Sequence, residues 1–307
     1  LVLCRAAEYN TITPELRDEL ALAIDAADLD RDVRVILLRA EGPAFCAGYG
    51  LDWATAAESR AATSPASEPE VSDSRVASRR RAATSPASEP EVSDSRVASR
   101  RRAATSPVWD SVADLGMMGR FVETYMKLWY ARKPTLAAVQ GWCIGGGTDM
   151  VLCADLIVAA ESACFGYPPA RVWGTPTTAM WVYRMGLERA KRYLLTGDEI
   201  PARTAAEIGL VLEVVPDAEL LSRAKALAER MARLPTNQLV MLKLLCNQTV
   251  ENMGFASSRL LGTLFDGVAR HTQEGLDFVR RAGDAGFRQA VRERDDPFED
   301  YGSRRKR

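Results

Sequence analysis

The sequence predicts an α/β core followed by an almost wholly helical C-terminal part. Three observations carry this. Strand-like apolar runs alternate with helix-like stretches, two of those strands run into small-residue turns, and helical spacing takes over from about Thr177. The opening "LVLC" reads as a strand. With no initiating Met and no signal-like start, it leads us to expect that residues precede Leu1. In "TITPELRDELALAIDAADLD", Thr13 is a helix cap and Pro14 a first-turn residue, and Leu16, Leu20 and Ile24 follow at helical spacing. "VRVILLRA" is a buried strand bounded by "EGP". "TLAAVQGW", a triple glycine, "TDMVLCADL" and the strand "LIVAA" repeat the strand–turn–helix order. "AELLSRAKALAERMARL" and "TNQLVMLKLLCNQTVENMG" belong to the helical remainder.

One segment stands apart. "RAATSPASEPEVSDSRVASRR" at Arg60–Arg80 recurs verbatim at Arg81–Arg101, and "RAATSP" begins again at Arg102. It has almost no large apolar residues, so burial cannot offset its ordering entropy and no apolar face exists for repeats to stack on. It is expected to be a duplicated surface loop. The resulting division is 1–59 for the N-terminal part of the core, 60–107 for the insert, 108–215 for the rest of the core, and 216–307 for the helical region and basic tail.

Composition narrows the function. The 307 residues carry 41 acidic and 40 basic side chains, a net charge of -1, so no global field favours nucleic acid or an anionic membrane. No apolar run is long enough to span a bilayer. The six cysteines form no CxxC pair and His271 is the only histidine, so neither a metal site nor Cys/His catalysis has support. Reduced, buried thiols in a cytoplasmic protein are the expectation.

The chemistry centres on "GWCIGGGTDM", Gly141–Met150. Three successive glycines serve a tight strand-to-helix turn, or they let a ligand lie directly on main-chain N–H groups. A second small-residue turn, "PAFCAGYGLDW", follows the earlier buried strand. Two such turns can aim one N–H each into a shared crevice, forming an oxyanion hole, and a helix starting near Gly146 adds its positive end.

These segments, with "CFGYPPARVWG" and "LTGDEIPARTAAEIGLV", resemble the crotonase superfamily, also called the enoyl-CoA hydratase/isomerase family. The likeness extends over nearly all of the chain outside the insert and the basic tail. It implies a ββα-spiral core, C-terminal helices that mediate a homotrimer or a dimer of trimers, and an acyl-CoA thioester as partner. Coenzyme A enters as part of the substrate, with no separate cofactor. Carried over by position, Tyr49 and Gly146 supply the oxyanion-hole amides, and the Ala47 carbonyl meets the adenine. Gly48, Gly50, Leu51, Trp142, Gly145, Tyr167, Pro168 and Pro169 line the thioester site. Glu8 stands where a basic residue near the CoA phosphates is usual.

The resemblance also places two acid/base carboxylates. The first position is Asp149, which also reads as a carboxylate serving the start of its helix without chemistry. The second is Pro169, which has no proton to exchange. Nearby, Arg171 reads as a surface or ion-pair residue, and Tyr167 and Trp173 as pocket wall. Thioester polarisation survives the loss of one carboxylate, since an oxyanion donor and a general base contribute separately. The expected activity is that of an enoyl-CoA hydratase-like lyase. The alternatives are an isomerase or hydrolase of the same family, a binder without turnover, or a scaffold acting through the insert. The insert is expected to influence substrate access.

Overall fold

The computed structural model describes residues 1–50 and 109–301. The repeated insert and Leu51 lie outside the described residues. Val2–Leu3 (β1) leads into Pro14–Leu29 (α1), Ile36–Ala40 (β2) and Ala44–Cys46 (β3). The chain continues with Ser111–Tyr130 (α2), Thr135–Val139 (β4), Trp142–Ile144 (β5), Gly146–Leu152 (α3), Leu156–Ala160 (β6) and Cys164–Gly166 (β7). Next come Met180–Met185 (α4), Leu187–Thr196 (α5), Ile200–Pro201 (β8), Ala202–Glu207 (α6) and Glu213–Val215 (β9). The last helices are Leu220–Ala232 (α7), Thr236–Asn252 (α8), Phe255–Arg270 (α9), Gln273–Ala285 (α10) and Phe287–Asp295 (α11).

The strands sort into two sheets. One runs β1-β2-β4-β6-β9 and is parallel throughout; the other runs β3-β5-β7-β8, parallel except for its last pair. Each successive strand–strand unit therefore gives one strand to each sheet, and the following helix returns the chain for the next turn. This is the ββα spiral expected from the sequence. The turns must stack closely: Gly141, between β4 and β5, has φ 57°, and a Cβ there would overlap the Pro43 carbonyl in the turn before it.

Local signals explain the helices. Thr13 Oγ1 accepts the Leu16 amide at 3.3 Å, and Leu16, Leu20 and Ile24 form the buried stripe of α1. Asp110 caps α2 by accepting the Val112 and Ala113 amides, both at 3.0 Å. Phe121, Val122, Tyr125 and Leu128 of α2 join Phe45, Val139, Phe165 and Trp181 in the main core. On the other face of the first sheet, Leu136, Ala138, Val158 and Ala160 pack under Leu220 and Ala224 of α7.

Two expectations change. "VRVILLRA" pairs only from Ile36, and the stretch after Thr177 is not wholly helical, because β8 and β9 complete the two sheets. The edge pairing of β9 with β6 needs only three residues, too few for a period to be read. No described helix is long and apolar enough to cross a membrane.

Helix α8 is pinned by charge. Lys243 is 8% exposed, lies 2.9 Å from Asp155 Oδ2, and donates to the Leu128 and Lys133 carbonyls at 2.9 and 3.1 Å. Asp155 in turn accepts the Thr135 amide at 2.7 Å. Removing one partner of such a buried pair leaves the other uncompensated. Lys243→Ala is expected to lower unfolding free energy by about 3 kcal/mol, read as a lower urea midpoint with an unchanged slope.

Candidate active site

Residues 47–50 leave β3 and form an isolated parallel bridge with Ile12. The Ile12 amide donates to the Gly48 carbonyl at 2.8 Å, and the Gly50 amide donates to the Ile12 carbonyl at 3.0 Å. A parallel bridge of this kind turns the polar groups of the intervening residue away from Ile12. The Tyr49 amide accordingly has no hydrogen-bond partner among the described residues. The second turn behaves alike. Gly145 donates to the Gly166 carbonyl at 2.8 Å and, at φ 58°, caps α3. Gly146 is the first residue of α3, so its amide has no helical acceptor and makes no other bond among the described residues. With only seven residues, α3 adds little dipole beyond these end amides.

The two turns lie against one another. A Cβ on Gly48 would stand 3.1 Å from the Ile144 carbonyl oxygen and 3.9 Å from the Gly146 nitrogen. A Cβ on Gly147 would overlap the Cys46 carbonyl oxygen, and one on Gly146 would lie 2.7 Å from Tyr49 Cε2. The glycines are therefore spacers that bring two unused amides together. The Tyr49 ring closes over Gly146, its hydroxyl 3.0 Å from that of Tyr125 and its edge against Phe121. Ala47 donates its amide to the Tyr9 carbonyl at 3.1 Å and keeps its own carbonyl unbonded among the described residues.

Asp149 follows at the first turn of α3 with no exposed surface. Its Oδ2 accepts the Thr177 amide at 2.7 Å and the Thr177 hydroxyl at 2.9 Å, while Oδ1 accepts the Trp181 indole at 2.8 Å. Burial raises its pKa to about 6 against the opposing pull of these donors. Asp149, three residues past Gly146 on α3, thus ties that helix to residues 177–181.

The 164–175 turn forms the opposite wall. Pro168 is buried, and the half-buried Pro169 ring lies 3.6 Å from where a Gly145 Cβ would be. The Pro169 carbonyl accepts the amides of Val172, Trp173 and Gly174, which fixes the turn. Tyr167 is wall: its hydroxyl donates to the Thr175 carbonyl at 2.6 Å, its ring is edge-on to Trp181, and burial pushes its pKa well up. Trp173 packs on Phe278, and Trp142 is half-buried near Tyr301.

Arg171 is an ion-pair residue as expected, but a buried one, 1% exposed. It is forked onto Asp300 at 2.8 and 2.7 Å, reaches Asp295 at 3.0 Å, and stacks over Phe298. Engaged there, it is committed to the C-terminal segment. At the other end of the site, the Glu8 side chain is exposed and lies 4.0 Å from Arg5, whose guanidinium donates to Thr13 Oγ1 at 2.8 Å.

Residues 113–289, more than half of the chain, match the profile of the enoyl-CoA hydratase/isomerase family. The chain belongs to that family. EchA13 of Mycobacterium tuberculosis is 32% identical over 264 residues, covering 84% of this chain and 72% of that protein. The crystal structure of an enoyl-CoA hydratase from Mycobacterium smegmatis superposes with TM-score 0.79 at 38% identity, covering 98% of this chain and 91% of that one. A Xanthobacter autotrophicus Py2 enoyl-CoA hydratase/isomerase, TM-score 0.76 at 24% identity, shares the fold.

Within this family member, sequence reasoning missed three charged groups. Asp266 of α9 is 6% exposed, Arg270 lies one turn on, and Asp114 opens α2. Arg270 Nη2 donates to Asp114 Oδ1 at 2.8 Å, and its Nε is 3.3 Å from Asp266 Oδ2. Burial raises the Asp266 pKa to about 7, with Arg270 opposing and the Asp114 and Asp149 charges reinforcing. The only sequence signal was an acid at helical spacing within "LLGTLFDGVAR", on the face shared with Thr263 and Arg270. Cys46, beside the first turn, is pushed up to about 12 by burial and is no nucleophile at neutral pH. The described residues hold no cluster of His, Cys, Asp and Glu that could bind a metal.

A carboxyl whose folded pKa exceeds its unfolded value stabilises the fold while protonated and loses that contribution as pH rises through the folded value. For Asp266 the window runs from about 4 to about 7. Relative to wild type, Asp266→Asn should gain about 2 kcal/mol of unfolding free energy between pH 5 and pH 8. Paired denaturant titrations at the two pH values test the sign.

Proposed function

We propose that this chain is an acyl-CoA enzyme that holds a thioester carbonyl on the Tyr49 and Gly146 amides and adds water to an enoyl-CoA of the fatty-acid type. The observation that carries the reading is the pair of unpartnered main-chain donors on two abutting glycine turns, in a member of this family. Fixed donors of this kind stabilise the enolate far more than the ground-state carbonyl, by roughly 3 kcal/mol each. Coenzyme A arrives with the substrate, so the reading needs no other cofactor. The unbonded Ala47 carbonyl suits the adenine amino group, and Arg5 rather than Glu8 is the cation available to the phosphates. Gly48, Gly50 and Gly145 give the thioester backbone clearance, while Trp142, Tyr167, Pro168 and Pro169 enclose it. Asp149 is the retained carboxylate of the reaction, with a proton affinity near neutrality.

A second reading, a thioester binder without turnover, draws on Pro169: hydrocarbon stands beside Gly145 where the family pattern has a carboxylate. Crotonyl-CoA separates the two. The enzyme reading expects loss of the conjugated absorbance with wild type, and a fall of at least about 10²-fold in Asp149→Ala with thioester affinity retained. Tight binding with no turnover on short or long enoyl-CoAs would establish the binder.

The same reading includes self-assembly. Met241, Leu242, Leu244 and Leu245 of α8, and Leu260 and Leu261 of α9, all present apolar surface, Leu245 at 69% exposure. A patch of that kind on a folded chain marks an interface. We assign it to a homotrimer or dimer of trimers, in a cytoplasm whose reducing conditions suit the free cysteines. Light scattering should give a mass of three or six chains of 33.6 kDa, and Leu245→Glu should reduce it. A monomer at micromolar concentration would reject the assignment.

A further inference from the structure

We propose that Asp266 on α9 is a second acid/base group of this site, supplying from the C-terminal helices the carboxylate that position 169 lacks. The inference rests on the thioester reading above. It begins from how α9 is seated. A Cβ on Gly262 would lie 2.5 Å from the Pro176 carbonyl oxygen, so the helix backbone rests directly on the 175–177 segment. Thr175 Oγ1 donates to the Gly262 carbonyl and Thr263 Oγ1 to the Thr177 carbonyl, both at 3.1 Å. Thr177 is the residue that holds Asp149 through two hydrogen bonds. One turn beyond Thr263, Asp266 projects from the same buried face.

The two carboxylates differ in their freedom to exchange a proton. Asp149 is engaged by three donors, whereas among the described residues the hydrogen-bond pull on Asp266 comes from the Thr175 amide. Arg270 does not neutralise Asp266 fully. The guanidinium is shared with Asp114, and among the described residues its buried Nε makes no hydrogen bond and Asp114 Oδ2 is likewise buried without one. One guanidinium between two carboxylates, with His271 3.9 Å from Asp114 Oδ2, leaves unused acceptor capacity in a buried polar cluster, a feature that calls for an explanation in a folded core. The Asp266 charge also acts on the hydroxyls of Tyr49 and Tyr167, the rings on either side of the glycine turns, and on Asp149 itself.

The chemistry closes without any further reagent. In hydration, the Asp149 carboxylate takes a proton from water as the water oxygen bonds to Cβ. The π pair moves into the enolate held by the Tyr49 and Gly146 amides, the Asp266 carboxyl gives its proton to Cα, and the two carboxyl groups then return to their starting states by proton exchange with solvent. In a saturated thioester, Asp266 removes a Cα proton into the carboxylate and the C–H pair enters the enolate. The carboxyl then exchanges its hydrogen with solvent and gives one back.

That second process supplies a test separable from hydration: exchange of the Cα hydrogens of butyryl-CoA with deuterium oxide, followed by NMR. Wild type should catalyse exchange, with a rate rising through about pH 7 as Asp266 ionises among Arg270, Asp114, Asp149 and the more distant His271. Asp266→Asn should slow exchange by about 10²-fold or more with butyryl-CoA affinity within about twofold, and lose the pH 7 limb. Asp266→Glu should restore part of the rate. In the Asp266→Asn background, Pro169→Glu should restore exchange by supplying a carboxylate beside Gly145, which a merely structural Asp266 does not predict. Exchange within threefold of wild type in Asp266→Asn would overturn the proposal, as would absence of exchange in wild type. Exchange by wild type without hydration of any enoyl-CoA would reject the hydratase reading and leave Asp266 in its role.

Discussion

Everything at this site depends on one close approach, main chain against main chain, between the turn after β3 and the turn after β5. The Cys46 carbonyl lies where a side chain at 147 would begin, and the Tyr49 ring lies where one at 146 would begin. Such an approach cannot be made by packing side chains. It requires their absence, and the spiral imposes it because consecutive strand pairs stack at sheet spacing. Among the described residues, the amides of Tyr49 and Gly146 are left unbonded for complementary reasons. One belongs to the residue inside a parallel bridge and the other to the first residue of a helix. Both are therefore fixed by backbone that is fully engaged elsewhere, which is the condition for donors that need no reorganisation during a reaction.

The buried carboxylates Asp149 and Asp266 are held with different degrees of restraint. Asp149 is the keystone of α3 and the 177–181 segment, and its three donors offset much of the desolvation that burial imposes. Asp266 has no comparable set of donors and shares its cation with Asp114. Burial then favours its protonated form more strongly. Two acids of the same type, on helices that meet the same loop, are both raised by burial, Asp149 against its hydrogen-bond donors and Asp266 against the Arg270 charge with Asp114 and Asp149 reinforcing.

The C-terminal helices consequently serve the site as well as enclosing the core. Helix α9 rests on the loop that grips Asp149, and Arg171, two residues past Pro169, is gripped by Asp295 and Asp300. The turn that carries Pro169 is thus held from both sides, by its own carbonyl accepting three amides and by a buried ion pair to the far end of the chain.

The sequence by itself determined the strand–helix alternation and the paired glycine turns, because each is written in local pattern: strand runs, caps, small residues at turns; the spiral and the place of Asp149 came from the family resemblance. It also told that Pro169 cannot carry a proton. It did not reveal β9, whose three residues are too short to show a period, nor the burial of Arg171, whose partners lie more than a hundred residues away. Only the tertiary structure decided how restrained Asp149 is and that Asp266 belongs to its neighbourhood. A proton affinity is set by desolvation and by donors brought together in space, and residues 149, 177 and 263 are linked only when α9 folds back across the core.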